Sequence, residues 1–482
     1  MRVAFVASEF APLAKTGGLA DVSSALARFL NRRGVDLRVF MPLYSRIDRR
    51  ALALAPMEFL RDIPMTLGAH RYSFSVLAGK LPGSDLEMCF IDCPALYARA
   101  GIYSREPDEH LRFLLLTRAA IESCQRMTFA PDIFHSNDWH TAFAPLFLKS
   151  VYSWDRLFAA TRTVLTIHNI GYQGVFGSTA QADLGLGASS YLLHQEDLAQ
   201  GRINSLKHGV LYADAVTTVS PTYAREIATA QFGMGLENVI RARGDAVTGI
   251  LNGVDYEEWN PETDAYLPAH FNARNLAGKE RIKRILSEQM GLAYARERPL
   301  MGLVSRLTVQ KGIDLLFEAL PRALAARDFT FVALGSGEPY YEEFFERLAR
   351  GFGGRVAFHR GYSEQLAHLI EGGCDMFLMP SLYEPCGLNQ MYSLRYGTVP
   401  IVRKTGGLAD SVELYDPDNG TGTGIVFNDF NEQAVSWAIN TALDLFRNRR
   451  RWNRIVRNGL ERNFSWEHQG EEYLALYRRL LA

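Results

Sequence analysis

The chain has 482 residues, more than one hydrophobic core ordinarily serves, and 48% of them are hydrophobic, so two or three well-buried domains are expected. Its 52 Lys and Arg balance 53 Asp and Glu to a formal net charge of -1, which argues against a nucleic-acid or acidic-lipid partner recognised through bulk charge. Five cysteines, at 89, 93, 124, 374 and 386, form no C-x-x-C pair, which argues against a disulfide framework or a structural zinc site, and Cys89 and Cys93 read as core-facing thiols.

Met1 runs directly into the apolar RVAFVAS (2–8), with no basic leader or cleavage site, and no window approaches 18 uninterrupted apolar residues, so a cytoplasmic protein without a membrane partner is expected. That first strand is followed by KTGGLAD at 15–21 and an amphipathic helix, VSSALARFLNRRG. Further strands are predicted at DLRVFMP (36–42), EMCFID (87–92), DIFHS (132–136), TVLTIH (163–168) and AVTTVS (215–220), with helical patterns between most of them. A stretch rich in Gly, Asn, Asp and Pro near 245–260 marks a boundary. The alternation then restarts at LMGLVSR (300–306), FTFVALG (329–335), RVAFHRG (355–361), DMFLMPS (375–381) and TVPIVRK (398–404), and KTGGLAD returns at 404–410. Short β-branched apolar runs alternating with amphipathic helices are how parallel α/β domains read, so two such sheets with separate cores are predicted.

Open parallel sheets bind ligands beyond the carboxyl ends of their strands, and the polar residues of this chain gather at such places. Asp138 follows DIFHS, His168 and Asn169 follow TVLTI, and Asn252 lies in GILNGVD; in the second half Arg306 ends LMGLVSR, Gly335 and Gly337 follow FTFVAL, Tyr362 follows RVAFHRG, and Glu384 follows DMFLMPS. Both copies of KTGG come after a strand and before a helix. Paired glycines let backbone approach an anion and lysine adds a mobile charge, or each pair simply makes a tight turn. The repeat reflects similar backbone demands or an old duplication.

The segments KTGGLADV (15–22), HSNDWH (135–140), HNIGYQGVF (168–176), GILNGVD (249–255), SRLTVQKG (305–312), EPCGLNQMYSLRYGTVPIVRKTGGLADSV (384–412) and FSWEHQGEEYLALYR (464–478) together resemble the bacterial glycogen synthases and plant starch synthases, in order and over nearly the whole chain. The resemblance implies a GT-B fold, two Rossmann-like α/β domains with parallel sheets facing across a deep cleft. It also implies retaining transfer of glucose from ADP-glucose to the nonreducing-end 4-hydroxyl of an α-1,4-glucan such as glycogen, with ADP released and no cofactor or metal. The expected domains are 1–247 on the acceptor side, 248–463 for the nucleotide sugar, and 464–482 as a C-terminal helix returning to the first.

By the same resemblance Arg306 and Lys311 stabilise the departing phosphate, since charge developing on ADP calls for preorganised cations. Lys15 faces the donor phosphates, as do the helix starts at Gly18, at Thr405 and Gly406, and at the run Cys386, Gly387, Leu388 and Asn389. Asn389 departs from the family's commoner threonine, which puts a hydroxyl contact to phosphate in doubt. Gly335 and Gly337 let the nucleotide approach the backbone, and Tyr362 stacks on adenine unless it is ordinary core packing. The E-x7-E spacing of many retaining GT-B enzymes begins here at Glu384 and ends at Tyr392, a substitution the bacterial glycogen synthases share. His168, Asn169 and Asn252 are assigned to the donor, with a main-chain carbonyl near the anomeric carbon. Asp138 either serves the acceptor or caps the following helix. A metal held by His135, Asp138 and His140 is disfavoured, because the three straddle a strand end and a helix start. Cys386 reads either as a thiolate favoured at a helix start or as a small buried filler. Two alternatives are a GT-B sugar-nucleotide epimerase and a noncatalytic glucan-binding protein using exposed aromatics such as Tyr97 and Tyr103.

Overall fold

A computed structural model describes residues 1–482, and the chain divides into two compact units: Met1–Gly253 together with Trp466–Ala482, and Val254–Ser465. In the first unit seven parallel strands, β1 (Arg2–Val6), β2 (Asp36–Pro42), β3 (Glu87–Asp92), β4 (Ile133–Asn137), β5 (Arg162–Ile167), β6 (Ala215–Thr218) and β7 (Val247–Gly249), run in the spatial order 3-2-1-4-5-6-7. Central β1 is apolar and buried from Val3 onward, as a strand covered by helices on both faces must be. Val3 aligns with Leu37 on one side and Ile133 on the other.

The sheet continues past β3 through an antiparallel extension that the sequence reading did not contain. His70–Lys80 pairs antiparallel with β3, and Ile63–Leu67 and Ala55–Pro56 pair with it in turn. Ile63–Leu67 alternates buried and exposed residues, the pattern of a strand wet on one face, rather than the continuous apolar run of a parallel strand.

The last helix, Trp466–Leu481, belongs to the first unit. Its buried Tyr473 and Tyr477 join that unit's core, each worth about 1.5–3 kcal/mol by burial. Tyr477 hydroxyl lies 2.5 Å from His135 Nδ1, and His135 Nε2 lies 2.6 Å from Thr166 Oγ1, so both ring nitrogens serve the tie between this helix and the sheet.

The second unit holds six parallel strands, β8 (Leu300–Leu307), β9 (Thr330–Gly337), β10 (Val356–Arg360), β11 (Met376–Met379), β12 (Val399–Arg403) and β13 (Ile425–Phe427). Counted within the unit, their spatial order is again 3-2-1-4-5-6, the dinucleotide-fold order. Every strand read from the sequence is present in one sheet or the other. The order fixes a switch point in each sheet, between β1 and β4 and between β8 and β11, where the chain leaves neighbouring strands in opposite directions and opens a crevice at their carboxyl ends. No helix is long and apolar enough to cross a membrane.

Candidate functional site

At the first switch point the chain leaves β1 through Ser8 and Glu9 and enters KTGG. Glu9 is buried, and its carboxylate accepts the Thr16 N–H at 2.5 Å, the Thr16 hydroxyl at 2.8 Å and the Tyr103 hydroxyl at 2.5 Å. Three donors on one buried carboxylate fix the residue beside Lys15. Lys15 pairs with Asp21 of the same heptapeptide at 2.9 Å. Gly18 opens the helix Gly18–Arg32 behind an extended Gly17.

Asp138, the first residue beyond β4, has φ +52° and is buried. Its side chain does not cap the helix it begins. Asp138 Oδ1 instead accepts the N–H of His168 at 2.7 Å and of Asn169 at 3.4 Å, joining the ends of β4 and β5. Burial pushes the Asp138 carboxyl up to about 7, against the pull of those two N–H groups and with a further push from Glu9. His168 Nε2 lies 2.9 Å from Asn137 Oδ1, and the Asn137 amide nitrogen donates to the Val6 carbonyl at 3.0 Å. That second bond leaves the Asn137 oxygen as acceptor, so Nε2 of His168 carries the proton. Burial holds the imidazole down at about 3, so it is neutral. Asn169 Oδ1 accepts the Gly171 N–H at 2.9 Å and shapes the turn that follows. Asn252 is buried, and its amide oxygen accepts no hydrogen bond from the protein.

At the second switch point Arg306 stands exposed at the end of β8, in register with Ser336 of β9. One turn further on, Lys311 Nζ lies 2.7 Å from Glu384 Oε2, which also accepts the Ser381 hydroxyl at 2.9 Å. Glu384 is buried. The second KTGG supports it: Gly406 has φ +43°, a Cβ there would meet the Glu384 carbonyl oxygen at 1.8 Å, and the Gly407 N–H donates to that oxygen at 3.2 Å. Thr405, buried and extended, precedes the helix Gly406–Ser411. Gly387, φ +72°, turns the chain toward the helix Asn389–Arg395, with Leu388 just before it. Asn389 Nδ2 donates to the Val304 carbonyl at 3.0 Å, so this side chain anchors the helix to β8. Tyr392 on that helix stacks on Trp259 at 3.7 Å.

The geometry bears on several further expectations. Gly335 and Gly337 owe their glycine character to the neighbouring strand, because a Cβ would meet the Ser305 or Leu307 carbonyl oxygen at 2.1 Å in either case. Cys386 is buried and lies before the first turn of the helix Asn389–Arg395, so the small-filler reading fits it. Tyr97 is fully buried and donates to the Arg112 carbonyl at 2.8 Å, while Tyr103 is tied to Glu9, so neither is an exposed platform. Tyr362, in contrast, is 70% exposed beyond β10, which core packing does not explain. His135, with both nitrogens engaged, does not join Asp138 and His140. Glu9, Ser381 and Trp259 went unread; for Glu9 the signal was a carboxylate three residues past a wholly buried strand segment, a costly position without donors.

Two Rossmann-type units in one chain, each with charged and amide groups at its switch point, are the architecture of the GT-B fold class. Residues 2–242 match the family of the starch synthase catalytic domain, and residues 291–459 match the glycosyl transferases group 1. The chain is 46% identical to a glycogen synthase of Anaeromyxobacter dehalogenans over the full length of both. It is 43% identical to glycogen synthase 1 of Geobacter sulfurreducens, covering 100% of this chain and 96% of that one. Among solved structures, the catalytic domain of starch synthase IV from Arabidopsis thaliana, bound to ADP and acarbose, superposes with a TM-score of 0.92 at 34% identity, covering 100% and 99% of the two chains. The chain belongs to the glycogen and starch synthase family.

Proposed function

We infer that the protein is a retaining glucosyltransferase that moves glucose from ADP-glucose to the nonreducing-end 4-hydroxyl of an α-1,4-glucan, elongating glycogen in the cytoplasm. The observation that carries this reading is the full-length match to glycogen synthases on a chain whose second sheet holds Lys311, Glu384 and Ser381 in contact at its switch point. The bond from the anomeric carbon to the β-phosphate oxygen breaks, leaving charge on ADP. Arg306 and Lys311 are assigned to that charge, with Lys15 as a further donor-phosphate cation and the backbone N–H groups around Gly387 and Gly406 as neutral donors. Glu384, held by Lys311 and Ser381, and Tyr392 are assigned to the sugar hydroxyls. The exposed ring of Tyr362 is assigned to the adenine.

His168, neutral and fixed by Asn137, presents its main-chain carbonyl to the positive charge that grows at the anomeric carbon. Asn169 and Asn252 complete the donor set, and Asp138 orients the acceptor. The acceptor's 4-hydroxyl oxygen bonds to the anomeric carbon on the face the phosphate leaves, and its proton passes to the departing phosphate oxygen. No covalent glucosyl enzyme is needed, so the Glu384 carboxylate binds rather than attacks.

Purified protein offered radiolabelled ADP-glucose and glycogen should release ADP and lengthen the glucan, and UDP-glucose in parallel reads the nucleotide preference. ADP-glucose left intact in the presence of glycogen would overturn the assignment. Epimerised sugar nucleotide without polymer growth would favour the epimerase reading.

A further inference from the structure

Tyr392 sits at one end of an aromatic stack. Its ring lies 3.7 Å from that of Trp259 at an interplanar angle of 3°, and the ring of His368 lies 3.8 Å from Trp259 at 13°. Two rings so close and so parallel to one indole must occupy its opposite faces, since a shared face would superimpose them. The stack therefore runs His368, Trp259, Tyr392, joining the helices Glu364–Gly373 and Asn389–Arg395 through a residue from the segment near the start of the second unit.

The far end of the stack is fixed by charge. His368 is wholly buried, its Nδ1 lies 2.7 Å from Asp264 Oδ2, and its Nε2 lies 3.7 Å from Glu364 Oε1, with Glu258 close by. Burial opposes the imidazolium, yet the hydrogen bond to Asp264 and the nearby Glu364 carboxylate outweigh it and hold the ring up at about 9, so a cation faces the indole. Asp264 Oδ2 also accepts the Tyr396 hydroxyl at 2.6 Å, and Arg395 donates to Asn260 Oδ1 at 3.2 Å. The segment from 259 to 264 thus grips the helix Asn389–Arg395 and the residue after it at three places, Tyr392, Arg395 and Tyr396. The same short helix follows directly on the loop that carries Glu384.

We propose that Trp259 is a positioning residue for glucosyl transfer: clamped by the His368–Asp264 pair, it sets the ring plane of Tyr392 and thereby the place of that side chain against the donor sugar. The proposal rests on the assignment of Tyr392 to the donor glucose. A wide, rigid ring is required at 259 because only such a surface can hold parallel partners on both faces, and an aliphatic side chain of similar volume would let the Tyr392 ring tilt.

The test uses W259L, W259F, Y392L and the double variant W259L/Y392L in the full chain, with kcat and KM for ADP-glucose, the dissociation constant of ADP, and the melting temperature. W259L should lose about tenfold in kcat/KM for ADP-glucose, while ADP, which lacks the sugar, binds within about twofold of the parent. W259F should recover to within about threefold, and the double variant should be no worse than the poorer single one. Additive losses in the double variant, or an equal loss of ADP affinity in W259L, would overturn the proposal by making Trp259 ordinary core. An unaffected Y392L would remove Tyr392 from the sugar site and the proposal with it, while leaving glucosyl transfer from ADP-glucose standing. Should W259L fail to fold, H368N, which frees the opposite face of the indole and can still donate to Asp264, should show the same split in smaller degree. Unchanged kinetics in H368N would then count against the proposal.

Discussion

Replacing Asp138 by Asn should yield a protein that is more stable above neutral pH and much less active. Burial pushes this carboxyl from its ordinary 3.8 up to about 7. Below 3.8 the folded and unfolded chains are both protonated at this position and the shift costs nothing. Between 3.8 and about 7 the unfolded chain gives up the proton and the folded chain keeps it, so stability falls by about 1.4 kcal/mol per pH unit. Above about 7 both are ionised and the deficit levels off at about 4 kcal/mol. Asn removes the deficit and tolerates the positive φ of +52°, but it accepts the His168 and Asn169 N–H groups less strongly than a carboxylate, which costs about 1–2 kcal/mol. The net gain at pH 8 is about 2–3 kcal/mol, or roughly 4–8 °C in melting temperature for a unit of this size. Thermal melts of both proteins at half-unit steps from pH 4 to pH 9 should show a difference that widens up to about pH 7 and is flat beyond it. Glucosyl transfer at pH 8 should fall at least about tenfold in the same variant. A melting difference independent of pH, or a variant less stable than the parent at pH 8, would refute the argument that desolvation dominates at Asp138.

Glu384→Gln keeps the shape and the Ser381 contact but removes the charge opposite Lys311, so kcat should drop by about a hundredfold with a smaller change in KM; steady-state kinetics decide, and a kcat within threefold of the parent would take Glu384 out of the sugar site. Tyr362→Ala should raise KM for ADP-glucose about tenfold and leave both kcat and melting temperature alone, because the ring is exposed and packs no core; a fall in melting temperature would show that it does. The two copies of KTGG should respond differently to alanine. Gly17→Ala meets nothing within 4 Å and should be nearly silent, whereas Gly406→Ala drives a Cβ against the Glu384 carbonyl at a positive φ and should cost more than about 3 kcal/mol along with activity. Equal melting temperatures for these two variants would contradict the packing described at the second copy.

That contrast between the copies shows how far the chain could be read in advance. The seven identical residues do share a local outcome, a helix beginning at Gly18 in one copy and at Gly406 in the other behind an extended residue. What surrounds them is not local: Gly17 has open space, and Gly406 and Gly407 lie against the backbone of Glu384 and Cys386. Eleven of the thirteen parallel strands were legible because strands buried on both faces are continuous apolar runs, whereas the three-residue edge strands Val247–Gly249 and Ile425–Phe427 are too short to show one; the strand-end rule then selected Asp138, His168, Arg306 and Glu384 without any knowledge of their contacts. The half-exposed extension at Ile63–Leu67 and His70–Lys80 escaped because its alternation is weak evidence by itself. Trp259 escaped for a different reason. Its partners, His368 and Tyr392, lie more than a hundred residues away along the chain, and no periodicity links them. Sequence pattern reports which face of an element is buried, and hence where a site can open. The residues that hold a site's members in place act through tertiary contacts, and those emerge only once the two helices and the segment between them are packed together.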